Sequence, residues 1–167
     1  MRELDPATSE AHRTIARLQA AYGDVVTRRD WVAFTDLFVP DAVVHIDVRN
    51  PERPPFDVEG AAAMVDFVAA SLEGFAFFEF SILNAVAEVE PGASTATGRL
   101  YLCELRADHE GAWTQAFGLY RDRYVRLGGP APGDGDWRIA ERRYTSLARL
   151  AAAPGTTVAS FPIPTEP

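Results

Sequence analysis

Few side chains in this chain can move a proton or attack a carbon, and that scarcity narrows the chemistry. All sixteen basic residues are arginine, there is one cysteine, Cys103, and the three histidines are His12, His45 and His109. Without lysine there is neither a Schiff base nor a P-loop phosphate grip, and one cysteine builds neither a disulfide framework nor a cysteine-rich zinc site. Acid–base work therefore falls to carboxylates, tyrosines, histidine, arginine or bound water. His45 and Asp47 stand two apart in a β-branched run, so they share a strand face in the manner of a base and its orienting carboxylate. Cys103 alternates with Tyr101 and has no base beside it, which predicts packing. No clustered ligand set points to a metal and no motif points to a cofactor, so neither is expected.

Three further groups have pocket-wall spacing. Glu104 shares a strand face with Leu100 and Leu102, and burial on that face would raise its pKa toward general-acid use. Tyr120 lies with Asp122 and Tyr124 on one face of a strand whose other face carries Trp113, Phe117 and Leu119. Apolar alternation would turn Phe117, not Tyr120, toward an interior unless a bulge at Gly118 shifts the register. Arg142 or Arg143 could hold an anionic or enolate oxygen, although arginines among surface carboxylates also suit a salt-bridged face.

These groups need elements to position them. After Thr8 or Ser9 as N-cap, the apolar positions Ile15, Leu18, Tyr22, Val25 and Val26 predict a long amphipathic helix. Asp30 caps a second, short helix over Trp31 to Phe38, which Pro40 should stop. Asp41 to Arg49 predicts a strand, followed by a loop at Pro51, Pro54 and Pro55. Gly60 to Glu73 predicts a third helix with Gly74 after it. Four long strands follow, over Phe75 to Glu90, Ser94 to Ala107, Trp113 to Leu127 and Trp137 to Leu147, with Asn84 marking a bulge or bend. The expected fold is α+β, a cone-shaped barrel of three N-terminal helices packed on a strongly bent, mostly antiparallel sheet, with a ligand cavity between them. One domain over residues 1–150 and a proline-rich tail over residues 151–167 complete the organisation.

The formal charge of -8 lacks the basic footprint of a nucleic-acid binder. There is no apolar run of about eighteen residues to span a membrane and no apolar signal core, so a cytoplasmic protein is expected.

The run from Tyr22 through Asp30-Trp31 to Phe38, Pro40-Asp41 and Val44, together with Tyr120-Arg-Asp-Arg-Tyr-Val-Arg126 and Asp136-Trp137 to Arg142-Arg143, resembles the SnoaL-like branch of the nuclear transport factor 2-like superfamily. The resemblance covers roughly Ser9 to Arg149. It implies the cone fold, a homodimer through the outer sheet face, and one of several chemistries: dehydration, isomerisation, cyclisation, epoxide opening or plain binding. Tyr22 matches the helix-one tyrosine of the dehydratase-like members. Their aspartate falls at Thr27, their first-strand tyrosine at Val48, their two histidines at Phe80 and near Leu100, and their pocket asparagine near Tyr120. If Val48 faces the cavity, His45 and Asp47 face away.

The substitutions imply an apolar cavity for a hydrophobic polyketide- or terpenoid-like small molecule, handled without a cofactor by a cyclase, isomerase or dehydratase. Tyr22, Glu104 and Tyr120 are the expected catalytic residues. Asp24, Thr27, Val48, Phe80, Leu100, Trp113 and Arg142 are the expected substrate-binding residues, with Asp24 or Glu104 serving a water-attack variant. The alternative is a non-catalytic small-molecule-binding or dimerisation module.

Overall fold

The computed structural model describes residues 6–128 and 135–153. Helix α1 (Pro6–Arg28) buries one stripe, Ala11, Ile15, Leu18, Tyr22, Val25 and Val26, at the spacing that brings one helix face onto a core. Thr8 and Ser9 fall inside its first turns and do not cap it, since the chain is already helical at Pro6, a residue tolerated where its missing N–H needs no partner. Asp30 does cap α2 (Trp31–Thr35), accepting from the Ala33 N–H at 3.1 Å. That helix is one turn shorter than the pattern predicts.

Pro40 does not act as a helix stop. It lies within strand β1 (Phe38–Asp47), where pairing with β6 (Trp137–Ala151) shifts register between Phe38 and Val43, an irregularity that accommodates a residue without an N–H. The proline loop then yields an unpredicted strand, β2 (Phe56–Glu59), antiparallel to β1. Helix α3 (Ala61–Glu73) ends at Gly74 as expected. Strands β3 (Phe75–Glu88), β4 (Thr95–Asp108) and β5 (Trp113–Arg126) complete one six-stranded sheet in the order β2-β1-β6-β5-β4-β3. Every pairing is antiparallel except β1 with β6. The pairing of β3 with β4 shifts between Ile82 and Asn84, leaving exposed Leu83 as the extra residue at the expected bend.

The helices cover the concave face of the sheet and enclose the core. Ala151 to Ala153 extend or follow β6; the rest of the predicted tail lies outside the described residues, as does much of the Gly128–Asp136 connection. Among the described residues no helix is long and apolar enough to cross a membrane.

Candidate active site

A cavity of about 330 Å³ lies between α1, α3 and the inner face of the sheet. Its apolar walls come from Val44, Ile46 and Val48 on one side, Met64, Phe67, Val68 and Leu72 of α3 on another, and Phe75, Phe78 and Phe80 of β3. The exposed lining residues are Arg53, Ser71 and Arg149, which mark the mouth; Tyr22, Tyr120 and Arg142 are buried and mark the floor.

The floor is a layered cluster. The hydroxyls of Tyr22 and Tyr120 are hydrogen-bonded to each other at 3.2 Å. The Arg142 guanidinium carbon lies 4.1 Å from the Tyr22 ring centre and 3.9 Å from that of Tyr120, so the cation stands against both π-faces. Phe80 stacks on Tyr120 at 6.0 Å and meets Tyr22 edge-on at 5.3 Å.

Behind this layer, Arg142 Nε and Nη2 donate to the two oxygens of Asp122 at 2.8 and 2.7 Å, a bidentate pair across neighbouring strands. Tyr124 also donates to Asp122 at 2.9 Å and accepts from Gln19 of α1 at 2.9 Å. The remaining guanidinium nitrogen of Arg142, Nη1, is buried without a hydrogen-bond partner.

Burial sets the protonation states. It pushes the Tyr22 pKa up and that of Tyr120 well up, against the opposing pull of Arg142, so both hydroxyls stay protonated as donors. Burial opposes the Arg142 charge, but the Asp122 carboxylate outweighs it and holds the guanidinium cationic.

Glycines make room for the rings. A β-carbon on Gly118 would collide with the Tyr144 ring, and one on Gly98 would lie 2.9 Å from the ring of Tyr124. The Gly118 expectation is thus corrected in part. Strand β5 is not bulged; alternation alone turns Ala116, Gly118, Tyr120, Asp122 and Tyr124 inward, and the extra residue, Leu147, lies on β6 opposite the Phe117–Gly118 step.

Of the expected residues, Tyr22, Val48, Phe80, Glu104, Tyr120 and Arg142 line the cavity. Glu104 is ion-paired with Arg106, its neighbour two along on the same strand face. Four others lie elsewhere. Asp24 is exposed and paired with Arg28 at 2.8 Å, because it sits on the solvent side of α1. The hydroxyl of Thr27 accepts from the Phe80 N–H at 3.0 Å, a link between helix and sheet. Leu100 is wholly buried core beyond the cavity wall. Trp113 is on the outer face, packed 5.3 Å from Phe77, since its odd position in β5 alternates away from Tyr120.

His45 also faces outward, with Nδ1 at 2.6 Å from Asp57, while Arg143 pairs outside with Glu141 at 2.6 Å. The sequence reading missed Gln19, Tyr144 and the rim arginines Arg53, Arg106 and Arg149. Gln19 carried a signal, a lone amide three residues before Tyr22 among the inward positions Ala11, Ile15, Leu18, Val25 and Val26.

The fold and this polar-floored cavity define a small α+β cone of the nuclear transport factor 2-like type. A family model described as a SnoaL-like domain matches residues 7–143, and the chain belongs to that family. Among solved structures it is similar to LinA, at 18% identity and TM-score 0.77 over 93% of this chain and 98% of that one. It is likewise similar to the type 3 hexachlorocyclohexane dehydrochlorinase LinA of Novosphingobium barchaimii, at 16% identity and TM-score 0.76 over 94% of this chain and 100% of that one. A candidate scytalone dehydratase of Novosphingobium aromaticivorans matches at 17% identity and TM-score 0.73 over 93% of this chain and 100% of that one. At these identities the likeness is one of fold. No curated protein matches the chain significantly.

Proposed function

We propose that the protein is a cofactor-free enzyme that isomerises, dehydrates or cyclises a hydrophobic small molecule of polyketide or terpenoid type. One observation carries this reading: two protonated tyrosine hydroxyls, 3.2 Å apart and backed by an arginine cation, form the floor of an apolar cavity that also holds a carboxylate, Glu104. Such a floor is a preformed oxyanion site.

One tyrosine hydroxyl donates to the other, and a substrate carbonyl oxygen accepts the O–H that remains free in the pair. Glu104 removes a proton from an activated carbon, the C–H electron pair moves onto the held oxygen, and the resulting enolate is stabilised by that relayed O–H donor and by Arg142. The pair then returns. It either takes the proton back from Glu104 at another carbon, which is isomerisation, or expels a hydroxyl that leaves with that proton as water, which is dehydration. Glu104 stands four residues along β4 from Leu100, the residue paired with Tyr120, and its charge acts on both tyrosines. The C–H it attacks must therefore be α to the held carbonyl or conjugated with it, so that the electron pair can reach the oxygen.

Screening hydrophobic ketones and hydroxyketones by native mass spectrometry and product analysis tests the reading. With a converted compound in hand, Tyr22→Phe and Glu104→Gln should each lower kcat by about 10²-fold or more. Unchanged turnover in both variants would remove these assignments, and binding without conversion would favour the non-catalytic module. The reading includes a homodimer through the outer sheet face, supported by exposed Leu83 and Tyr101 there; sedimentation equilibrium tests it.

A further inference from the structure

We infer that the ligand of this cavity is an anion, a hydrophobic acid whose body fills the apolar interior and whose carboxylate sits at the mouth among Arg53, Arg106 and Arg149. The inference rests on the cavity being the substrate site and names the substrate class.

The charge distribution carries it. The chain has twenty-four acidic residues against sixteen basic ones, yet the cavity lining holds four arginines, Arg53, Arg106, Arg142 and Arg149, and a single carboxylate, Glu104. Arg142 is neutralised by Asp122 from behind, and Arg106 is partly satisfied by Glu104. Arg53 and Arg149 have no carboxylate partner among the described residues. Among the described residues outside the lining, Arg13, Arg28, Arg49, Arg99, Arg123, Arg138 and Arg143 each hold one while Arg17, Arg29, Arg121 and Arg126 do not, so what distinguishes Arg53 and Arg149 is that both stand at one cavity mouth. Two cations left without counter-ions at a cavity mouth concentrate an anion there.

Hydrogen bonding points the same way. The Nε of Arg106 is buried and has no acceptor, a costly state that an incoming carboxylate oxygen would relieve. The register sets Glu104, Ala116 and Arg149 in one cross-strand row, with Arg106 two residues further toward the strand end. Two of the guanidinium groups are also held in place: that of Arg53 lies 5.0 Å from the Phe56 ring and that of Arg106 lies 5.3 Å from the Phe75 ring. Planar forks held over aromatic faces match a carboxylate with little ordering cost. The floor offers neutral donors and the rim offers cations, so the ligand enters with its neutral oxygen foremost and its acid behind.

Calorimetric titration with 2-naphthoate and with 2-naphthalenemethanol, which share a ring body and differ in charge, tests this at pH 7 and low salt. The acid should bind about tenfold more tightly than the alcohol, and raising the salt should narrow that gap. In the double variant Arg53→Gln, Arg149→Gln the acid should lose most of that preference while the alcohol keeps its affinity. Arg143→Gln, on the outer face, should change neither. Equal binding of the two compounds, or a preference that survives the double variant, overturns the inference; alcohol binding then leaves the cavity standing as a site for a neutral hydrophobic substrate. If neither compound binds, the inference falls together with the hydrophobic-cavity reading.

Discussion

Asp122 accepts three side-chain hydrogen bonds, two from Arg142 and one from Tyr124, and is nearly fully buried. A buried carboxylate of this kind is sustained by its partners, and removing its charge strands the arginine. Asp122→Asn should therefore destabilise the protein by about 3–5 kcal/mol, measured by urea unfolding. Tyr22→Phe acts differently. It removes one hydroxyl from a pair and leaves Tyr120 without its partner, which should cost only about 1–2 kcal/mol of stability. A large loss of turnover beside that small loss of stability would separate a role in the reaction from a role in the fold. The same comparison applied to Thr27→Val should give the reverse pattern, because its hydroxyl serves the Phe80 N–H and not the cavity.

At the scale of elements, the site depends on where chains can approach closely. The Tyr144 ring occupies the space a side chain at Gly118 would need, so Gly118→Ala should cost about 1–3 kcal/mol and displace a cavity-lining ring; thermal melting and ligand affinity would both register it. The helices and long strands were legible because their apolar spacing is regular, as in Ile15, Leu18, Tyr22 and Val26 of α1. Pro40 misled because local rules place it at a helix end, whereas a register shift in β1 gave it a home within a strand. Strand β2 is only four residues long and follows three prolines in the loop, too short for alternation to declare it. Tyr120 was legible by resemblance and contradicted by hydropathy, since β5 turns its polar face inward around Asp122. Such a reversal is invisible to periodicity, because it depends on partners from α1 and β6. Trp113 failed for the complementary reason: the apolar face it shares with Phe117 lies on the outside of the sheet.

The whole molecule should respond to alkali as a unit. Burial raises the pKa values of Tyr22, Tyr120, Tyr124 and Tyr144, four of its five tyrosines. The folded state therefore binds these protons more tightly than the unfolded state does. Their contribution is complete below the unfolded tyrosine pKa of about 10 and is lost as the pH rises above it, because the unfolded chain can then release protons that the native one retains. Unfolding midpoints should fall steeply above pH 10, and most of the tyrosinate absorbance near 295 nm should appear with unfolding and not before it. A smooth native-state titration of all five would contradict the burial described here.

The tyrosine pair also sets an order of events in folding. Tyr22 and Tyr120 lie 98 residues apart, and the arginine that stands against both rings comes from the last strand, whose only parallel neighbour is the first long one. On a ribosome the amino-terminal helix can meet Phe34, Phe38 and Phe80 once the first half of the chain is out, but Tyr22 has neither Tyr120 nor Arg142 beside it until nearly all of the chain has followed. Closure of the cone is therefore the late, slow step expected of long-range pairing, and variants that weaken the seam between β1 and β6 should reduce soluble yield before they alter any property of the finished protein.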